Sequence, residues 1–246
     1  MTHVHFIGIG GSGLSAIARL LLESGYAVSG SDRALTTNAE EERKAGASVY
    51  VGHHARNVAG ADWVVRSSAI PDDNPEVQAA MQKNIPVYKR ADFLGELMAD
   101  KTGIAIAGTH GKTTTTAMTA WVLTELKRDP SFIIGSMAKN LGVNARAGKG
   151  NLFVIEADEF DNMFLGLKPQ IEVITNLEHD HPDFFPTFEA MTQSFETFIN
   201  LLPADGTLIV CMEDAGASSL IPYARKAGKN VIAYGAHMEN TISAPH

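Results

Sequence analysis

Short apolar runs alternate with segments whose apolar residues recur every three to four positions, along nearly the whole chain. Residues 3–9 form an apolar run broken at 10–13 by glycines, after which Leu14, Ile17, Ala18, Leu21 and Leu22 fall on one helical face. The same reading gives a strand over 27–31 ending at Asp32, a charged helix over 38–45 and a strand over 48–51. A strand over 63–67, a helix over 75–83, a short strand over 86–88 and a helix over 91–99 complete a first set.

Residues 100–103 read as a junction, because the apolar run 104–107 starts a fresh strand–loop–helix unit. The pattern then predicts a helix over 113–126, strands over 131–134, 152–156 and 171–176, and a helix over 188–201. A strand over 207–210, a helix over 217–226 and a strand over 230–234 follow, and 235–246 is polar and irregular. Such alternation is the signature of α/β domains built on parallel sheets. The expected architecture is an N-terminal Rossmann-like domain over 1–99 and a phosphate-loop α/β domain over 100–236, with 237–246 as the start of a linker.

Composition narrows this little. The 246 residues are 45% hydrophobic and 20% charged, and no apolar run is long enough to span a membrane. A formal net charge of −8 argues against general affinity for nucleic acid or anionic membranes. The one cysteine, Cys211, excludes an intrachain disulfide and fits a reducing cytoplasm; its apolar neighbours predict a buried structural thiol.

Candidate chemistry begins at Gly108-Thr109-His110-Gly111-Lys112-Thr113, between a strand and a helix. Glycines let backbone N–H groups approach phosphate oxygens, and a helix N-terminus favours anions. Lys112 supplies charge to the β- and γ-phosphates of ATP, and the Thr113 hydroxyl is a ligand for Mg²⁺. The loop is shorter than the full phosphate-loop pattern, which would need glycine where Ile106 stands.

Downstream, the strand ending at Glu156 runs into Ala157-Asp158-Glu159-Phe160-Asp161. A carboxylate extending a buried strand is costly without a cation, which favours Glu156 as a metal ligand over a solvated acidic turn. The next strand ends in Asn176-Leu177-Glu178-His179-Asp180-His181, whose residue types alone would permit zinc. Its place at a parallel neighbour's carboxyl end favours a second Mg²⁺ ligand or nucleotide contacts instead. At the N-terminus, Gly8, Gly10 and Gly13 make a G-x-G-x-x-G turn, and Asp32 ends the following strand. That combination permits a dinucleotide site with Asp32 on a ribose, so an NAD-dependent oxidoreductase is an alternative. A second domain with its own phosphate loop is hard to reconcile with it.

Taken in order, G-I-G-G-S-G at 8–13, S-S-A-I at 67–70, A-G-T-H-G-K-T-T-T-T at 107–116, E-A-D-E-F-D at 156–161 and N-L-E-H-D-H at 176–181 resemble the Mur ligases. These are ATP-dependent amide-forming enzymes of bacterial peptidoglycan synthesis, and the similarity covers about residues 4–235. With Gly52-His53, the pattern is most similar to members joining L-alanine to UDP-N-acetylmuramate. The alternative within the family is the muropeptide-recycling type, which attaches a tripeptide to the same nucleotide sugar.

The resemblance implies that the first domain binds UDP-N-acetylmuramate. Gly10, Gly11 and Ser12 would hold its diphosphate, Asp32 and His53 would lie near the uridine, and Ser67, Ser68 and Arg90 near the sugar-phosphate. It implies ATP contacts from Gly108, Thr109, His110, Gly111, Lys112, Thr113, Thr114 and Asn176. Thr113 and Glu156 would hold a first metal, and His181 would help hold a second; Lys112, Glu156 and His181 form the implied catalytic set. Family members carry a C-terminal domain for the amino acid, and this chain ends where it would begin. A shortened chain inactive in ligation by itself is therefore expected, as is the absence of a carbamylated lysine.

Overall fold

The computed structural model describes residues 1–236 and, for the backbone alone, 242–243. Two compact units are present. One comprises Met1–Phe93 with Met137–Ala147, the other Leu94–Ser136 with the chain from Gly148 onward.

The first unit opens with β1 (His3–Ile7), α1 (Ser12–Glu23), β2 (Ala27–Asp32), α2 (Thr37–Lys44) and β3 (Ser48–Val51). After a 3₁₀ turn at Ala55–Val58 come β4 (Trp63–Arg66), α3 (Pro75–Gln82) and β5 (Val87–Lys89). Its sheet has the order β3-β2-β1-β4-β5, with every pair parallel. The chain winds outward from β1 through β2 and β3, then restarts on the other side at β4. The carboxyl ends of β1 and β4 therefore flank the point where loops diverge, the usual ligand crevice of such sheets. Buried Phe6, Ile7, Ile17, Leu21, Val64 and Val65 fill the core, and Trp63 and Phe93 meet edge to face at 6.0 Å.

The division between units falls inside α4 (Arg90–Met98). The second unit continues with β6 (Thr102–Ala107), α5 (Lys112–Glu125) and β7 (Ser131–Ile133). The stretch 137–147 that belongs with the first unit carries the two-residue β8 (Ala145–Arg146), beside which Ala147 N donates to Glu23 Oε2 at 2.9 Å. Then follow β9 (Leu152–Glu156), a 3₁₀ segment at Phe160–Gly166, β10 (Ile171–Ile174), α6 (Phe188–Ile199) and β11 (Thr207–Cys211). The last elements are α7 (Ala215–Ser219), α8 (Ile221–Lys226), β12 (Asn230–Gly235) and β13 (Ile242–Ser243). The strands run β13-β12-β11-β10-β6-β9-β7, in parallel pairs. β9 and β10 thus lie on opposite sides of β6, whose carboxyl end becomes the centre of the second crevice. Phe164 stacks on Phe198 at 4.5 Å and meets Phe195 edge to face at 5.2 Å, closing this core.

Three local expectations are corrected. The helix expected over 217–226 is two helices, α7 and α8, because Pro222 lacks the N–H a continuous helix would need there. Cys211 is half-buried, since alternate residues of β11 point out of the core. A two-residue strand, β13, pairs with Tyr234–Gly235 inside the segment read as irregular. The rest of the linker expected over 237–246 lies outside the described residues.

Candidate functional site

In the second unit, three polar segments meet at the carboxyl ends of β6, β9 and β10. The loop after β6 turns on Gly108, with φ of 130°, and Gly111, with φ of 80°, which is the N-cap of α5. A side chain at Gly108 would run into the Thr175 hydroxyl, so glycine is needed there both for conformation and for space. The fourteen-residue α5 directs its first free N–H groups and positive dipole end into this crevice.

Lys112, at the first position of α5, folds back over the loop. Its ammonium donates to Gly108 O at 2.8 Å and to Glu159 Oε1 at 2.8 Å. Glu159 is fully buried, and burial pushes its carboxyl up, opposed by the hydrogen bond and charge of Lys112. Thr113 Oγ1 donates to Glu156 Oε1 at 2.9 Å, and Gly135 N donates to Glu156 Oε2 at 2.6 Å. Thr113 and Glu156 therefore present two hard oxygen donors side by side. That pairing fits Mg²⁺, which takes one or two protein oxygens and completes its shell with phosphate and water. No group of three or more His, Cys, Asp or Glu placed to hold a metal occurs among the described residues.

His181 lies beside Glu159. It sits in the left-handed region at φ 52°, its Nε2 3.9 Å from Glu159 Oε1, and its ring lies 5.0 Å from Phe160. Asn176 closes a two-way amide clasp on the loop: His110 N donates to its Oδ1 at 2.7 Å, and its Nδ2 donates to His110 O at 2.9 Å. Thr109 Oγ1 donates to Glu178 O at 3.0 Å, which fastens the loop to the segment after β10. Thr114 is exposed on the first turn of α5.

In the first unit, the turn after β1 bends at Gly8, with φ of 91°, and leads into α1 through Gly10, Gly11 and Ser12. Asp32 is committed to this turn, since its Oδ2 accepts from Gly10 N at 2.9 Å. Ser67 lies against Gly8, 3.4 Å from where a Cβ would stand, and Ser68 is exposed. The Arg90 guanidinium packs directly over Gly13, in the space a side chain there would fill. Gly10–Ser12, Ser67 and Arg90 are thus gathered at the β1–β4 crevice, with a cation above a helix N-terminus.

His53 lies on the same unit in a buried polar network that sequence reasoning missed. Glu76, fully buried at the start of α3, accepts from Ser31 Oγ at 2.5 Å, Asn57 Nδ2 at 2.6 Å and His54 N at 3.2 Å. Burial alone would raise this carboxyl; hydrogen bonds from His5, Ser31 and Asn57 outweigh it and bring it down to about 2. The usable signal was Asn74-Pro75-Glu76, a capping sequence that puts a carboxylate in the first helical turn. Beside the network, Val49, Tyr50, Val51, His54, Arg56 and Asn57 line an open cavity of about 460 Å³.

The profile described as Mur ligase family, catalytic domain, matches residues 3–102, and that of the Mur ligase middle domain matches residues 106–244. A Renibacterium salmoninarum protein named UDP-N-acetylmuramate–L-alanine ligase is 50% identical over 232 residues, covering 94% of this chain and 50% of its own. An Aquifex aeolicus protein of the same name is 45% identical, covering 98% of this chain and 52% of its own. The chain spans about half the length of the curated relatives it matches. Among solved structures, the UDP-N-acetylmuramate:L-alanyl-gamma-D-glutamyl-meso-diaminopimelate ligase of Neisseria meningitides matches with a TM-score of 0.84 and 30% identity. It covers 96% of this chain and 78% of that one. The UDP-N-acetylmuramate–alanine ligase of Thermotoga maritima matches with a TM-score of 0.80 and 30% identity, over 98% of this chain and 54% of that one.

Proposed function

The chain belongs to the Mur ligase family, and from that premise we propose that it carries the UDP-N-acetylmuramate-binding and ATP-binding parts of a ligase that joins L-alanine to the nucleotide sugar. The observation that carries the ATP half is the pairing of Thr113 with Glu156 beside Lys112 at a glycine-turned helix N-terminus. The curated relatives named for L-alanine, at 45–50% identity, support the choice of amino acid. The tripeptide-attaching type is the second reading, supported by the Neisseria meningitides match. Both act on the same sugar nucleotide, so the first unit's ligand is common to them.

The proposed chemistry needs no protein nucleophile. A carboxylate oxygen of UDP-N-acetylmuramate attacks the γ-phosphorus of ATP, the bond to the bridging oxygen breaks, and ADP leaves with an acyl phosphate formed. The amine of L-alanine then attacks the acyl carbon; inorganic phosphate departs and the amine proton passes to solvent. Lys112 offsets charge on the transferring phosphoryl group, while Gly111 and the α5 N-terminus supply donors to its oxygens. Thr113 and Glu156 would hold Mg²⁺, which when bound neutralises phosphate charge.

A thermal-shift series with UDP-N-acetylmuramate, ATP with Mg²⁺, and NAD tests the assignment. Stabilisation by the first two, with none from NAD, is the expected result. Stabilisation by NAD alone would sink it.

A further inference from the structure

The Glu76 network has a consequence for His53. Ser31 Oγ donates its single proton to Glu76 Oε2 at 2.5 Å, and Glu76, with its carboxyl at about 2, is ionised and only accepts. The remaining contact of the Ser31 hydroxyl is His53 Nδ1 at 2.9 Å. With its proton already given to Glu76, the hydroxyl oxygen accepts there, so the proton of that bond belongs to His53 Nδ1. Glu76 Oε2 lies 3.5 Å from the same nitrogen without a hydrogen bond of its own to the ring, so the choice of nitrogen is made through the Ser31 hydroxyl. Which imidazole nitrogen bears the proton is set by such a partner.

We infer that Glu76 and Ser31 are positioning residues that hold His53 as its Nδ1–H tautomer, leaving Nε2 as a hydrogen-bond acceptor for a donor group of the bound nucleotide. The His53 side chain is 14% exposed, so it is mostly packed and not sealed off from the surface. The same carboxylate holds the turn that follows. Its Oε1 accepts from His54 N and Asn57 Nδ2, and His54, Arg56 and Asn57 line the 460 Å³ cavity. One buried charge on α3 thereby fixes a side chain and a backbone turn that lie some 19 to 23 residues earlier in the sequence. The ligand part of this inference rests on the proposed function; the tautomer does not.

The test uses the whole chain. Long-range proton–nitrogen correlation spectra of the ligand-free protein should show His53 protonated at Nδ1, and Ser31→Ala should shift it toward the Nε2–H form. Ser31→Ala should also weaken UDP-N-acetylmuramate binding about tenfold, the effect of one misdirected buried hydrogen bond. Its affinity for ATP with Mg²⁺, bound by the second unit, should stay unchanged and report that the variant is folded. Glu76→Gln should act the same way; if it fails to fold, Ser31→Ala decides alone. An Nε2–H ring in the unsubstituted protein overturns the inference, as does a folded Ser31→Ala with tautomer or sugar-nucleotide affinity unaltered. If the unsubstituted chain does not bind UDP-N-acetylmuramate, the proposed function falls, and the spectra still decide the relay.

Discussion

Lys112 shows how much a single position carries. Its ammonium is held by a loop carbonyl and by buried Glu159, so the charge is already aimed over the loop before any phosphate arrives. Pre-set orientation spares the entropy of ordering a long side chain on binding. Lys112→Ala removes the only loop ammonium and leaves Glu159 buried beside no cation. We expect ATP–Mg²⁺ affinity to fall about 100-fold, the usual loss when one member of a buried charged pair is truncated. UDP-N-acetylmuramate affinity should hold, and calorimetric titration of both ligands checks this; equal loss of both would point to unfolding instead. Lys112 and Thr113 were legible in the sequence because they sit where a glycine loop meets a helix, and Glu156 because it extends a buried apolar strand. Glu159 was not, because four neighbouring acidic residues carry no mark of which one turns inward. Asp32, a candidate ribose partner from the glycine-turn pattern, also accepts from Gly10 N through Oδ2, a contact that only the folded turn reveals.

At the level of elements, both units use one device: a parallel strand, a glycine turn and a helix whose N-terminus faces the crevice. The alternation of short apolar runs with helical periodicity made these pieces legible, since a strand and a helix bury different spacings of side chain. Strand order was not legible. It depends on which neighbours pair across long stretches of sequence, and nothing local in 131–133 says that β7 pairs with β9 and not with β6. The attachment of 137–147 to the first unit is equally nonlocal. The two helix starts make a paired prediction. At the first, Arg90 occupies the space a side chain at Gly13 would take, and at the second the Thr175 hydroxyl does the same at Gly108. Gly13→Ala should weaken UDP-N-acetylmuramate binding about tenfold while sparing ATP, and Gly108→Ala should do the reverse, consistent with the 1–3 kcal/mol typical of overpacking. Thermal-shift titrations of both variants with both ligands would read this; a crossed pattern would refute the assignment of ligands to units.

Across the whole molecule, two buried glutamates, one in each unit, respond to pH in opposite directions. In the first unit, Glu76 is held at about 2 by its hydrogen bonds, below the ordinary value of 4.5. Its folded state releases the proton more readily than the unfolded chain does. The stabilisation, about 3 kcal/mol from a shift of that size, is therefore present above pH 4.5 and is lost as pH falls toward 2. In the second unit, Glu172 lies fully buried on β10 with neither carboxyl oxygen hydrogen-bonded, and burial pushes its carboxyl well above 4.5, partly opposed by Lys229. Here the folded state holds the proton more tightly than the unfolded chain, so stability declines as pH rises from 4.5 through the raised folded value. Lowering the pH from 7 toward 5 should thus strengthen the second unit while leaving the Glu76 contribution intact, and going on toward 3 should weaken the first. Hydrogen exchange resolved by segment at pH 3, 5 and 7 separates the two responses. Glu172→Val, which suits a buried strand position beside Ala105 and Leu208, should raise the second unit's stability at pH 7 and flatten its pH dependence. Retention of the slope in that variant would mean another group carries it.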